Sequence, residues 1–233
     1  MLWRYLLQLA LNDERLLRGE SAPPLDDPWW RNQIIGFAAG SSSRAVDARG
    51  FLASLRTANT AAIELGVRAQ AHDLPWPPIR HAPEDLVLIV KPQGDAWVAH
   101  HWHESPVGWR TEVRLEPADL APAQSIGDAL TDLRATLDDV GDYGDEALRS
   151  DLRSARDLLA GEVDELDGYR RPSVPPVRHG TSTETCLMAG LQRLLSVGFG
   201  GVGRLDDMHP GTPRDVARLR LAIAHGLAAL SRH

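Results

Sequence analysis

Cysteine occurs once in the 233 residues, at Cys186. Intramolecular disulfides and multi-thiolate zinc sites are therefore excluded. Lysine also occurs once, at Lys91, and the other 24 of the 25 basic residues are arginines. Any Schiff-base chemistry would have to use Lys91, which sits beside an expected turn, a poor place for the desolvation a reactive lysine needs. No apolar run approaches the roughly 18 residues of a membrane span. The opening MLWRYLLQLALNDERLLRGE carries Arg4 inside its apolar stretch and runs straight into Asn12, Asp13, Glu14 and Arg15. It has no small-residue cleavage pattern, so it reads as an amphipathic helix rather than a signal peptide. A GxSxG nucleophile elbow is absent too.

What is present has the balance of a globular chain, 43% hydrophobic and 24% charged. Its length suits one large domain, 1–233, with sub-units at 1–74, 85–115, 125–167 and 181–233. The arginine, alanine, leucine, glycine and proline usage suggests a GC-rich bacterial genome, and a cytoplasmic location is the default expectation. The net charge of −7 disfavours nucleic acid, whose phosphates need a basic footprint. Residues 116–167 hold fifteen acids and four arginines, a local charge of −11, so the remainder sums to +4. Such a face either docks a basic partner, is matched by arginines elsewhere in the fold, or is simply solvated.

The periodicities predict a mainly α (α+β) fold: a helical bundle with a three-stranded antiparallel meander, about 85–115, packed against it or inserted into it. Helical spacing is read at the start, over 44–70 after Gly40-Ser41-Ser42-Ser43, where Val46, Leu52, Leu55, Ala62 and Gly66 follow one face, and over Ile126–Val140 behind a Ser125/Asp128 capping box. Leu148, Leu152, Ala155, Leu159 and Leu166 continue into a second helix, which makes an acidic helical hairpin of 126–166. Thr181 with Glu184, and later Pro213, open two more helices. Leu86-Val87-Leu88-Ile89-Val90 is an apolar run of strand length. Lys91-Pro92-Gln93-Gly94-Asp95 looks like a turn, Ala96–His103 a returning strand, and Trp109–Leu115 a third.

The densest chemistry is the row His100-His101-Trp102-His103-Glu104 in the second expected strand. Imidazole is the commonest metal ligand and titrates near neutrality. Strand alternation pairs His101 with His103 and isolates His100. If the turn sets Lys91 against Asp95, then Ile89 faces Trp97, Val87 faces Ala99, and Asp85 faces His101. Two imidazoles and a carboxylate with open positions form a competent divalent-metal set. A one-residue change of register would dissolve that triad. Glu104, Glu112, His81 and His179 are substitute third ligands. The bland alternative is a solvated hairpin end, with the tryptophans packed on the helices.

Other short patterns fail in context. Arg178-His179-Gly180-Thr181 resembles the histidine-phosphatase signature, but only 53 residues follow Gly180, and Pro175-Pro176 stand where an opening strand should precede it. The glycine, His-X-His and glutamate spacing of cupins is not met. Gly198-Phe199-Gly200-Gly201-Val202-Gly203 spells GxGxxG yet follows an expected helix instead of a strand. Gly40–Ser43 is read as capping before it is read as an anion site, and Cys186 as a buried small hydrophobe.

Three functions follow as expectations. The first is a small-molecule-binding protein, with the question of enzymatic activity open, whose pocket is lined by His101, Trp102, His103 and Trp97. Asp85 joins the two histidines there if a divalent metal is the cofactor. The second is a regulatory protein without chemistry of its own, using the acidic hairpin for a protein partner or homo-oligomer. The third, a DNA-associated regulator using the final helix, is opposed by the charge.

Overall fold

The computed structural model describes residues 2–22, 35–38, 45–46, 48–69, 86–92, 97–99, 101–103, 113–114, 119–140, 144–162, 182–198 and 214–232. Among these, helix predominates over sheet, as the mixed helical and sheet class expects. The helices are α1 (Leu2–Leu11), α2 (Asp13–Leu17), α3 (Ala48–Thr57), α4 (Ile126–Val140), α5 (Glu146–Ala160), α6 (Thr183–Gly198) and α7 (Arg214–Leu230). The strands are β1 (Ile35–Ala38), β2 (Ala45–Val46), β3 (Thr60–Val67), β4 (Leu86–Pro92), β5 (Trp97–Ala99), β6 (His101–His103) and β7 (Val113–Arg114). The chain divides into two compact units. A sheet unit comprises Leu2–Ile79, Glu84–Pro122 and Ser231–His233; a helical unit comprises Met1, Arg80–Pro83 and Ala123–Leu230.

In the sheet unit, four strands pair in the order β3-β4-β5-β7, and three others in the order β2-β1-β6. Leu86 to Val90 of β4 are all buried, so both faces of that strand are covered. The amphipathic start of the chain supplies part of the core: Leu6, Leu9 and Leu16 are buried, and α1 and α2 pack on β3. Asn12 interrupts the expected single helix, and Arg56 of α3 donates to the carbonyl of Leu16 at 3.0 Å, near the end of α2.

Two expectations are corrected here. The helix read over 44–70 is confined to α3, and Ala45–Val46 lie in a strand. Asn59 adopts φ +56, ends the helix in the left-handed region, and is followed by β3. There, Ile63, Leu65 and Val67 are buried at a period of two. The positions read as one helical stripe, Ala62 and Gly66, belong to this strand. A Cβ at Gly66 would lie 2.3 Å from Cδ1 of Ile89 on β4, so any larger residue there makes that buried side chain shift.

The second concerns the meander, which is met in part, since β4, β5 and β7 pair antiparallel in chain order. Strands β4, β5 and β7 are neighbours, but β3 is added on one side. The expected strand Ala96–His103 is divided between two sheets, so 85–115 is not one continuous three-stranded unit.

In the helical unit the Ser125 cap is as read, while the caps of α5 and α6 are supplied by Asp145 and Ser182, which the sequence pattern did not name. Ser125 Oγ accepts from the Asp128 N–H at 3.1 Å, and Asp145 accepts from the Leu148 N–H at 2.8 Å. Gly161, at φ +74, closes α5. For α6, Ser182 Oγ accepts from the Thr185 N–H at 3.3 Å; Thr181 lies outside the described residues. Leu130, Leu133, Leu137 and Val140 of α4 are buried, as are Leu148, Leu152, Ala155 and Leu159 of α5. Leu219, Ile223, Leu227 and Leu230 of α7 are buried too.

Helices α4 and α5 run antiparallel. Arg134 reaches the carbonyl of Leu159 at 3.0 Å through Nε, while Arg156 reaches that of Leu137 at 3.4 Å. Each helix thus receives a guanidinium on its last-turn carbonyls, where the backbone dipole is negative. The main packing partner of α5 is nevertheless α6, and that of α4 is α7.

Candidate functional site

The histidine row belongs to two sheets. Strand β5 pairs with β4 as Val90↔Trp97, Ile89↔Val98 and Leu88↔Ala99. Trp97 also stands opposite Arg114 of β7. Two residues after Ala99 the chain has joined the other sheet: β6 pairs with β1 as Phe37↔His101, Gly36↔Trp102 and Ile35↔His103. The change of sheet falls between Ala99 and His101. Such corners occur where a strand bends out of one layer into another. His101 and His103 thus occupy alternate positions of one short strand, with Trp102 between them opposite a glycine.

The register bears directly on the carboxylate. The expected pairing set Ile89 against Trp97; the observed pairing sets Val90 there, one residue away. In addition, β6 is a partner of β1 rather than β4. The turn-based route that brought Asp85 opposite His101 therefore does not operate. Asp85, His100, Glu104, Glu112, His81 and His179 lie outside the described residues. Among the described residues, no group of three or more His, Cys, Asp or Glu is placed to hold a metal ion.

Charged residues cluster in the sheet unit around Glu64 of β3. Lys91 Nζ lies 2.6 Å from one oxygen of Glu64, and Arg232 Nε 3.5 Å from the other. The sole lysine is thus tied across two strands in an ion pair and is about half exposed, not seated in an apolar pocket. Beside α2, Glu20 is held below the ordinary carboxylate range by hydrogen bonds from Arg18 and then Arg15. Arg18 is raised in turn, first by its hydrogen bond to Glu20. Both groups are fully exposed, so the network is a surface feature and not a reactive centre.

The acidic helices find partners. Asp138 pairs with Arg156 at 2.8 Å, Asp139 with Arg218 of α7 at 2.9 Å, and Asp151 with Arg193 of α6 at 2.7 Å. Cys186 is buried in α6. A Cβ on Gly161 would lie 3.3 Å from its sulfur, so it fills space at the helix junction. The glycine-rich stretch after Gly198, the last residue of α6, the serines 41–43 and the histidine of 178–181 fall outside the described residues.

Sequence reasoning missed the groups gathered on β3: Asp13, Glu64, Ser231 and Arg232. Asp13 accepts from the Ile63 N–H at 3.2 Å, and Ser231 Oγ accepts from the Leu65 N–H at 3.0 Å. These partners are separated by 50 and 166 positions, so no local motif signals them.

The fold and these residues define a mixed helical and sheet protein whose histidine-bearing strand lies where the chain changes sheets. Comparison with models of known protein families, with curated proteins and with solved structures finds no significant match. No helix among the described residues is long and apolar enough to cross a membrane.

Proposed function

We propose that the chain is a small-molecule-binding protein whose site is built on His101, Trp102 and His103 of β6 and Trp97 of β5. Its candidate cofactor is a divalent metal held by the two histidines. The observation that carries this reading is the change of sheet between Ala99 and His101, which sets a tryptophan-bearing strand and a histidine-bearing strand in immediate succession. Two imidazoles at alternate positions of a strand are the natural donors, and indoles supply apolar lining beside them. Asp85 remains the third candidate ligand. Its assignment is tested separately because the observed register removes the turn-based argument for it. A cytoplasmic setting belongs to the same proposal and agrees with a single, buried cysteine.

The test is calorimetric titration of metal-stripped protein with Zn²⁺ and Mn²⁺, run in parallel on H101A/H103A and D85N. The proposal expects saturable one-to-one binding that the double variant loses. A tenfold or greater weakening in D85N would seat Asp85 in the set. Equal binding by the native protein and the double variant, or none by either, removes the metal. Small-molecule library screening by thermal shift, unchanged between the native and double-variant proteins, would then remove the pocket.

The acidic helical hairpin has less support as a docking surface for a basic partner. Among the described residues, four of its carboxylates (Asp138, Asp139, Glu146 and Asp151) are already engaged by arginines of the same unit, two of them by arginines of α6 and α7.

A further inference from the structure

Among the described residues, both passages of the chain between the two units are fastened to one strand. The main stretch of the helical unit, Ala123–Leu230, leaves the sheet unit after Pro122 and returns to it at Ser231. On the outgoing side, Leu120 bridges Arg68, just beyond β3, in antiparallel fashion. The Ala121 N–H donates to the Val67 carbonyl at 2.8 Å, and the Ala69 N–H to the Asp119 carbonyl at 2.9 Å. On the returning side, Ser231 Oγ accepts from the Leu65 N–H at 3.0 Å, and Arg232 reaches the Leu65 carbonyl at 3.5 Å. Arg232 also pairs with Glu64, whose other oxygen holds Lys91 of β4. The two attachments are only two to four residues apart, roughly 7–13 Å along an extended strand. They differ in kind. The outgoing one is main chain, while the returning one rests on two side chains.

We propose that Ser231 and Arg232 form a clasp that couples the folding of the two units. The clasp closes readily while Ala123–Leu230 is folded and delivers its end back to β3. Once that stretch unfolds, closing the clasp means closing a loop of more than one hundred residues, and the loop's entropy opposes it. The linkage runs both ways. An open clasp leaves the buried Leu65 N–H without its acceptor, which weakens the sheet unit. Without the two side chains, the units stay joined through 119–122 but lose this mutual support.

The sequence supplies the probes for a test on the full chain. All seven tryptophans fall within the stretches of the sheet unit, and α4 to α7 hold most of the described helix. Urea unfolding is followed by tryptophan fluorescence for the sheet unit and by far-ultraviolet ellipticity, which reports mainly the helical unit. In the native protein the two midpoints should coincide. In S231A/R232A the fluorescence midpoint should fall by about 0.5–1 M urea, for the loss of two hydrogen bonds, and the ellipticity midpoint should remain at higher urea. Should the double variant fail to fold, amide exchange in S231A alone carries the test. Leu65 should then exchange about threefold to tenfold faster, with Ala69 and Ala121 unchanged. Midpoints that already differ in the native protein, or that shift together in the double variant, overturn the proposal. So does a native exchange rate for Leu65 in S231A.

Discussion

Gly190 shows how little room one side chain leaves. A Cβ there would lie 2.3 Å from both Cγ and Cδ2 of Leu159, which is fully buried between α5 and α6. Neither helix can yield without opening the close approach on which their packing depends. We expect Gly190→Ala to destabilise the protein by about 1–3 kcal/mol, the usual range for overpacking, despite alanine's better helix propensity. Thermal unfolding followed by circular dichroism checks the sign: a raised midpoint would contradict the contact. Leu159 is doubly committed, because its carbonyl also receives Arg134.

At the scale of elements, the caps are the most local devices in the chain. Asp145→Ala should cost about 0.5–2 kcal/mol, since it removes the acceptor of the Leu148 N–H at the start of α5. Urea unfolding with an unchanged slope and a lowered midpoint is the expected result. Caps and stripes of this kind are what made α4 to α7 legible in the sequence. Ser125 with Asp128, the leucines of 130–137 and those of α7 all act within a few residues of one another. β4 was legible for a related reason, an apolar run of strand length. β3 was not, because Ala62 and Gly66 fit a helical stripe as well as a strand. What decides between them is the pairing of β3 with β4, which spans a wide gap in sequence. The candidate site suffered the same way. The His-X-His pair is visible in one dimension, but the register that governs Asp85 differed by one residue. The departure of β6 to β1 joins residues more than sixty positions apart, and no local signal announces it.

At the scale of the whole molecule, charge that looked unbalanced along the sequence is matched in part across space. The arginines outside 116–167 include Arg193 and Arg218, and these meet Asp151 and Asp139. The asymmetry of −11 against +4 is thus partly an artefact of counting along the chain rather than across the bundle. The sheet unit has the same non-local character, since it is assembled from three separate stretches of sequence.

That discontinuity has a consequence for birth on the ribosome. Leu65 and the hydroxyl that receives its N–H are 166 positions apart. At about 5–20 residues per second of synthesis, roughly ten to thirty seconds pass between making one and making the other. Throughout that interval the Leu65 N–H of β3 waits without its acceptor, at the stage when a nascent chain is most exposed to its neighbours on a polysome. Stalled chains ending shortly before Ser231 should therefore bind a general chaperone at β3 and lose that binding once Arg232 has left the exit tunnel. Crosslinking from a photoreactive residue at position 61, which is exposed, would read the moment of release.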